Sequence, residues 1–512
     1  MEKNRLSKVK KIENYFNILT KYPLLSLLLI GIGAITIRLI FFENELILSS
    51  DSLAYFMYSL DVTLTGELPR SINLPNNGWP LFMSIFFNFL ESKNFLDYMN
   101  LQSYVSMTLS TVTIFPLYFL AKKFTNSSFA LITTILFVFE PRIIQNSLIG
   151  ATDPLFILLI VTSLTFILEK NKYIIYGACI TIALASIVRA EGLFLIPVLC
   201  IMFLIKNKIT KKNIIQCIIF IIIIYLILLP FSMQRIESTG NDYLTSRIII
   251  QSQSLLENNS NEIYLKIINS FYIFIGFLGK LMIPYLLIFV PVGIILFLKE
   301  ENIRKKILLI IPGFFMILPS LYAYTIPALD SRYLFPILPI LCIFGTFAFM
   351  KYVKKIKNKK SISVILIIII ITSSSLFLVY KNTGIDKEKE FLELANIVNQ
   401  KTDTILYINL NPVLSHLDQA GLLKLEKFPV LSSYYEKDSR IKIIEYSNIE
   451  SFFINMEKKK ITHVVIDEQM NNPKIIIQIF DNYNEYKNIK KIFDSVESGF
   501  NYKIKIFEIK YK

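Results

Sequence analysis

Histidine is almost missing from this chain. His416 and His463 are the only two in 512 residues, and both come late. A histidine-rich metal site in the apolar part of the chain is thereby excluded, while a carboxylate-only site stays open. Cysteine is scarce too. Cys179, Cys200, Cys217 and Cys342 all fall within apolar runs, with no CxxC spacing. No disulfide framework follows, and the four read as small buried residues. Tryptophan occurs once, as Trp79. Beyond Tyr380 there is neither a glycine-rich phosphate loop nor a nucleophile motif. Charged residues make up only 18%, with 39 acids against 54 lysines and arginines.

What the chain has in excess is apolar sequence. Hydrophobic residues reach 54%, and the mean hydropathy is +0.52. They come in long runs rather than in amphipathic spacing, which points to a membrane protein. A helix crosses the hydrocarbon in about 20 apolar residues, and by that measure about eleven segments qualify. They lie near 23–42, 99–121, 128–147, 153–168, 173–189, 191–205, 213–231, 271–298, 307–326, 333–350 and 361–380. The first run follows a basic segment but has span length and no A-x-A-like site, so it reads as a retained helix.

The formal charge of +15 is not a nucleic-acid footprint, because of where it sits. Lysine and arginine gather in short loops beside the runs: before 22, at 121–123, 169–172, 206–212, 299–306 and 351–360. This is the positive-inside pattern, and it predicts that these loops are cytoplasmic. Asp51, Glu140, Asp153, Arg189, Glu191, Asp330 and Arg332 then fall on the opposite face. An odd number of spans puts the C-terminal region there as well. The basic excess is orientation signal and headgroup contact.

Composition divides the chain into a basic N-terminus (1–22), a membrane domain (23–384) and a C-terminal α/β domain (385–512) outside the membrane. In the last, DKEKEFLELANIVNQ, IESFFINMEKKK and NPKIIIQIFDNY read as helices. DTILYINL, ITHVVIDE and YKIKIFEIK read as strands, and His463 inside one of them reads as structural. Two long outer loops, 43–98 and 232–270, interrupt the membrane domain. In the first, SLAYFMYSLDVTLTG has helical spacing and is expected along the interface. NGWPLFMSIFFNFLE dips back toward the membrane. Loops this long are functional or disordered, and these are too aromatic for disorder.

Ionisable residues at the ends of the runs carry the chemistry. Asp51 lies just past the first span, ahead of the long loop. A carboxylate there is a poor passive anchor and a good base. Asp153 opens a run in GATDPLF, Arg189 and Glu191 sit in ASIVRAEGLFLIP, and Asp330, Arg332 and Tyr333 in ALDSRYLFPILP. Charges at membrane depth are costly and mark function. Taken singly, Asp153 also reads as a helix cap ahead of Pro154, and the arginines as snorkelling side chains.

The order of these motifs resembles a known family. An acid after the first span is followed by FEPRIIQNSLIGATDPLFILL, ASIVRAEGLFLIP and SRYLFPILP, over about 20–350. It is similar to the GT-C membrane glycosyltransferases, in particular the relatives of dolichyl-phosphate-mannose-protein mannosyltransferases and aminoarabinose transferases. Where that family often has an Asp-Glu pair in its first loop, this chain has Asp51–Ser52. The resemblance implies a polytopic α-helical protein of GT-C type with an outer α/β domain. It implies a donor sugar on a polyprenyl phosphate, and an acceptor hydroxyl on a protein, glycan or lipid. Asp51 would be the base, in a single inverting displacement, and Arg189 and Arg332 would hold the donor phosphate. Asp153, Glu191, Asp330 and Tyr333 are candidates for sugar, acceptor or divalent-cation binding; no other cofactor is implied. Two readings compete: a transporter or flippase of lipid-linked sugars, and a non-catalytic membrane assembly protein. No internal repeat supports the transporter.

Overall fold

The computed structural model describes residues 21–46, 48, 50–69, 77–240, 242, 260–325, 329–354, 359–381, 385–402, 405–408, 441–442, 444, 447–467 and 473–511. The basic N-terminus before residue 21, residues 243–259 of the second long loop and His416 lie outside the described residues. The chain forms two compact units. One takes the chain up to Phe42 with Leu68–Phe86 and Leu101–Tyr380; the other takes Glu43–Glu67, Phe87–Asn100 and Lys381–Lys512.

Apolar runs become helices because lipid offers no partners for backbone N–H and C=O groups, so a crossing segment must satisfy them internally. In chain order the helices are α1 (Pro23–Phe41), α2 (Ser50–Thr65), α3 (Gly78–Phe87), α4 (Phe95–Val112), α5 (Ile114–Lys122), α6 (Ser127–Val138), α7 (Pro141–Leu148), α8 (Asp153–Ile167) and α9 (Lys172–Val188). A 3-10 turn over Ala190–Leu195 leads into α10 (Ile196–Asn207), α11 (Lys211–Thr239), α12 (Ser260–Leu281), α13 (Leu286–Glu300) and α14 (Ile303–Thr325). A second 3-10 turn, Ser331–Ile337, precedes α15 (Leu338–Lys354), α16 (Lys359–Lys381) and α17 (Ile385–Lys401).

Among the described residues, eight helices are long and apolar enough to cross a membrane, or nine if the bent pair α6 and α7 is one span. The expected eleven are not reproduced, for physical reasons. The apolar helices α8 and α9 have only 15 and 17 residues. The run at 271–298 still supplies one counted span, within α12, although a turn that contains Pro284 cuts it from α13. Proline removes a donor and its ring clashes with the preceding turn.

The first unit is held by close helix contacts and a few buried polar links. A Cβ built on Gly293 of α13 would lie 1.8 Å from the Phe344 carbonyl oxygen of α15, so these two helices meet backbone to backbone. Small residues at crossings permit such approach in membranes. The Thr133 and Thr346 hydroxyls, 2.8 Å apart, join α6 to α15. Three of the basic loops meet at one end of the bundle. Lys123 Nζ pairs with Glu169 Oε1 at 2.5 Å, and Lys206 Nζ donates to the Glu169 and Ile167 carbonyls.

The second unit is an α/β body. Its strands are β1 (Ile405–Ile408), β2 (Ile441–Lys442), β3 (His463–Asp467), β4 (Ile489–Asp494) and β5 (Ile504–Ile509), with α18 (Ile449–Lys458) before β3 and α19 (Lys474–Asn482) after it. They form one sheet in the order β2-β1-β3-β5-β4. β1 is parallel to β2 and β3, and β5 is antiparallel to β3 and β4. Alternation in β3 sorts the side chains: Val464 and Ile466 join the core under α18 and α19, whereas Val465 faces α17 with Leu394 and Val398. Glu390 of α17 accepts from the Asn501 and Tyr502 backbone N–H groups at 2.5 and 2.7 Å. His463 Nδ1 lies 2.8 Å from the Thr462 hydroxyl, a local contact that fits a structural residue. Helix α2 also belongs to this unit. Its aromatic face is inside protein, with Phe56 against Phe87 and Phe95 at ring separations of 5.8 and 6.3 Å.

Candidate functional site

The first unit brings Asp153, Arg189, Glu191 and Tyr333 together. Helix α9 ends at Arg189, whose backbone turns extended (φ −148°) while its N–H still bonds Ala185 O at 2.8 Å. The chain then folds tightly back on itself. A Cβ on Gly192 would fall 2.7 Å from Ser186 N, so only glycine fits this approach. From the other side, Gly78 of α3 presses on the same place, where a Cβ would lie 2.6 Å from Val188 N. Two glycines thus fix the backbone on either side of Arg189.

The guanidinium spans two acids. Arg189 Nη1 pairs with Asp153 Oδ1, and Nη2 with Glu191 Oε1 at 2.8 Å. Its Cζ stands 5.8 Å from both the Phe156 and Tyr333 ring centres, a cation–π geometry on two aromatics. Arg189 is 9% exposed and Asp153 fully buried, whereas the Glu191 side chain keeps 25% of its surface. Asp153 does not cap its helix: the cap position of α8 is Thr152, which makes no side-chain cap, and the Asp153 carboxylate goes to Arg189 instead. That replaces the capping role with an ion pair.

Arg332 is held separately. Asp330 caps the 3-10 turn, accepting from Arg332 N at 2.9 Å and from Arg332 Nε at 2.6 Å. The Tyr324 hydroxyl donates to the Asp330 carbonyl at 3.0 Å. A narrow cleft, with a free volume of ≈ 10 Å³, opens on this cluster. Its lining mixes the polar groups of Arg189, Glu191 and Tyr333 with apolar side chains such as Leu195, Met316 and Pro319. Asp51 is elsewhere in the chain's organisation: it is exposed in the first turn of α2, in the second unit.

Among the described residues, no group of three or more histidine, cysteine, aspartate and glutamate side chains has the geometry to hold a metal ion.

Sequence reasoning missed Gly78, Gly192 and Phe156, whose roles exist only through contacts remote in sequence. It also passed over Arg38, a single charge within the first apolar run. That signal was legible, since an arginine inside a span is rare and marks a constraint.

In three dimensions the chain is similar to the oligosaccharyltransferase of Archaeoglobus fulgidus in its apo form. The identity is 12%, with 90% of this chain and 70% of that one covered and a TM-score of 0.57. It is similar to the same organism's AglB in complex with an inhibitory peptide and a dolichol-phosphate, again at 12% identity, covering 94% and 74% with a TM-score of 0.55. It is also similar to ArnT from Cupriavidus metallidurans bound to undecaprenyl phosphate, at 10% identity, covering 94% and 97% with a TM-score of 0.57. These likenesses give the fold, which is GT-C. No curated protein matches the chain in sequence. A family described as predicted membrane protein (DUF2079) matches residues 102–392, more than half of the chain. The protein is an integral membrane protein of GT-C fold and belongs to the DUF2079 family.

Proposed function

We propose that this protein transfers a sugar from a polyprenyl-phosphate donor to an acceptor hydroxyl of a protein, glycan or lipid at the outer membrane face. The reading rests on one observation above all: a buried arginine, held in position by two acids, that lines a cleft together with apolar side chains. A lipid phosphate needs both kinds of lining. Solved structures of the same fold carry undecaprenyl phosphate and dolichol-phosphate.

Arg189 binds the donor phosphate. Asp153, buried and fixed, keeps the guanidinium in place, and a phosphate oxygen competes with the more exposed Glu191 for Nη2. Arg332, oriented by Asp330, supplies a second cation, and Tyr333 covers the Arg189 face. Guanidinium forks match phosphate oxygens, and such charged bonds are strong in a dry site. Asp51 is the base. It takes the acceptor proton, the acceptor oxygen bonds to the anomeric carbon, and the bond from that carbon to the phosphate oxygen breaks. One displacement inverts the anomeric centre. The polyprenyl phosphate leaves as an anion and needs no acid. No step is routed through a metal ion. The donor enters from lipid and the acceptor from water, with the basic loops on the cytoplasmic side.

The test is binding of undecaprenyl phosphate to the protein in lipid nanodiscs. Arg189→Ala is expected to weaken it about 10- to 100-fold, the factor that a charged hydrogen bond of about 1.5–3 kcal/mol represents. Arg189→Lys keeps the charge without the fork and should fall between. Equal affinity in all three proteins removes Arg189 from the site.

A further inference from the structure

The span formed by α6 and α7 is broken, with a bend of 53°. A break inside a membrane leaves backbone groups open that water cannot reach. Pro141 has no N–H, and Glu140 is extended, so the helical ladder stops there. Each carbonyl at the end of α6 finds a partner nonetheless. Phe137 O takes the Glu140 N–H at 3.1 Å. Leu136 O takes the Tyr285 hydroxyl at 2.9 Å. Val138 O takes Arg38 Nη1 at 3.2 Å. Phe139 O takes the Ser374 hydroxyl at 2.5 Å. On the far side, Glu140 Oε2 accepts the orphan Ile143 N–H of α7 at 2.9 Å. Three of these donors come from three distant points: α1, the residue before α13, and α16.

Arg38 does more than cap. It is fully buried. Besides Val138 O it reaches Ser147 Oγ of α7 at 3.0 Å, Ser110 Oγ of α4 at 2.9 Å and its own Ala34 O at 3.1 Å. One guanidinium therefore grips both sides of the break. Beyond α7 the route to the site is short. Gly150 turns with φ +67°, and its carbonyl is held by Gln102 Nε2 at 2.9 Å. Asp153 follows at the start of α8 and grips Arg189.

We infer that Arg38, with Tyr285 and Ser374, is a positioning residue: it fixes the broken span, and so sets where Asp153 holds Arg189. Its importance for donor binding rests on the function proposed above; the placement of Arg189 does not. Glu140 belongs to the same device, because it closes the N-terminal side of α7.

Two measurements test this. The first is the rate at which phenylglyoxal, a guanidine-directed reagent, modifies Arg189, read by peptide mass on the full-length protein in nanodiscs without ligand. Tyr285→Phe removes one hydroxyl and keeps the ring, so it is the variant expected to fold; Arg38→Met is the stronger one. Thr133→Val, which cuts the α6–α15 link away from the break, is the control. Arg189 should react about three- to tenfold faster in Tyr285→Phe and Arg38→Met than in wild type or Thr133→Val, the factor that loss of a net hydrogen bond represents. An unchanged rate in Tyr285→Phe, or an equal rise in Thr133→Val, overturns the inference. The second is undecaprenyl phosphate affinity, which should fall in the same two variants by a similar factor and hold in the control. A wild-type protein that binds no undecaprenyl phosphate sinks the donor reading alone, since the labelling arm still decides whether the break positions Arg189.

Discussion

The two units solve one problem in opposite ways. Each contains a fully buried aspartate, Asp153 in the bundle and Asp467 in the α/β body. Asp467 ends strand β3 and accepts from the Tyr502 hydroxyl at 2.7 Å. Its neighbourhood is built by regular strand pairing, and the backbone around it is satisfied by adjacent strands. Asp153 faces a guanidinium, under two aromatic rings, beside a broken span whose carbonyls are closed by side chains from far away. The sheet satisfies its polar groups by a repeating rule. The bundle does so by individual side chains from distant segments. That is the arrangement in which irregular backbone at membrane depth is tolerated, buried in protein.

Variants can sharpen or break this contrast. The largest effect is expected at Asp51, on rate. Asp51→Asn should lower sugar transfer about 10²- to 10⁴-fold, the range for loss of a general base. Because Asp51 is exposed, stability should shift by no more than about 0.5 kcal/mol. Transfer from a defined polyprenyl-phosphate sugar, measured beside thermal unfolding, separates the two. Full activity in this variant would end its role as base.

Next comes the pair of buried aspartates. Asp153→Ala leaves Arg189 paired with Glu191 alone and should destabilise the protein by about 1.5–3 kcal/mol. Tyr502→Phe leaves Asp467 short of one neutral donor and should cost about 1 kcal/mol. Hydrogen exchange resolves the two units. Loss of protection in α8 and α9 for the first variant, and in β3 and β5 for the second, is expected. Equal costs would mean that the two sites are built alike.

Smaller effects are expected from glycines within the bundle. Gly293→Ala forces α13 from α15 and should cost about 1–3 kcal/mol or more. Gly276 in α12 has nothing within 4 Å of its virtual Cβ. Gly276→Ala should therefore gain up to about 1 kcal/mol through helix propensity. Thermal midpoints in matched nanodiscs order the pair, and a reversed order would refute the backbone contact at Gly293. A final labelling experiment bears on orientation rather than energy. Cysteines introduced at Ser361 and Asp386 should react from opposite sides of the membrane. Labelling of residue 386 only from the cytoplasmic side would sink the whole mechanism.

Much of the fold was legible in the sequence because its signals are local. The strands DTILYINL, ITHVVIDE and YKIKIFEIK appear as β1, β3 and β5, the amphipathic segment before them as α17 and the two between them as α18 and α19. Hydrophobic period alone carries that information. Counting spans was harder, since a run of apolar residues does not say where proline will cut it or how short a helix can be. In the site, the grouping of Asp153, Arg189, Glu191 and Tyr333 matches residues singled out for cost at membrane depth. Their pairing was not readable. Whether Asp153 caps a helix or grips an arginine depends on a partner 36 positions away.

The sequence by itself determined the class of this protein: a helical membrane bundle with a polar α/β body, and charged residues concentrated at the ends of apolar runs. Desolvation explains that, because lipid rejects unpaired charge and open backbone alike, whatever the tertiary arrangement. Only the tertiary structure decided which charges meet. It seated Arg189 between Asp153 and Glu191, closed the broken span with Arg38, Tyr285 and Ser374, and left glycine alone able to fit beside Val188 and Ser186. Those choices depend on distances between segments that no local pattern encodes, and a hydrogen bond is worth nothing until its two groups lie within about 3 Å of each other.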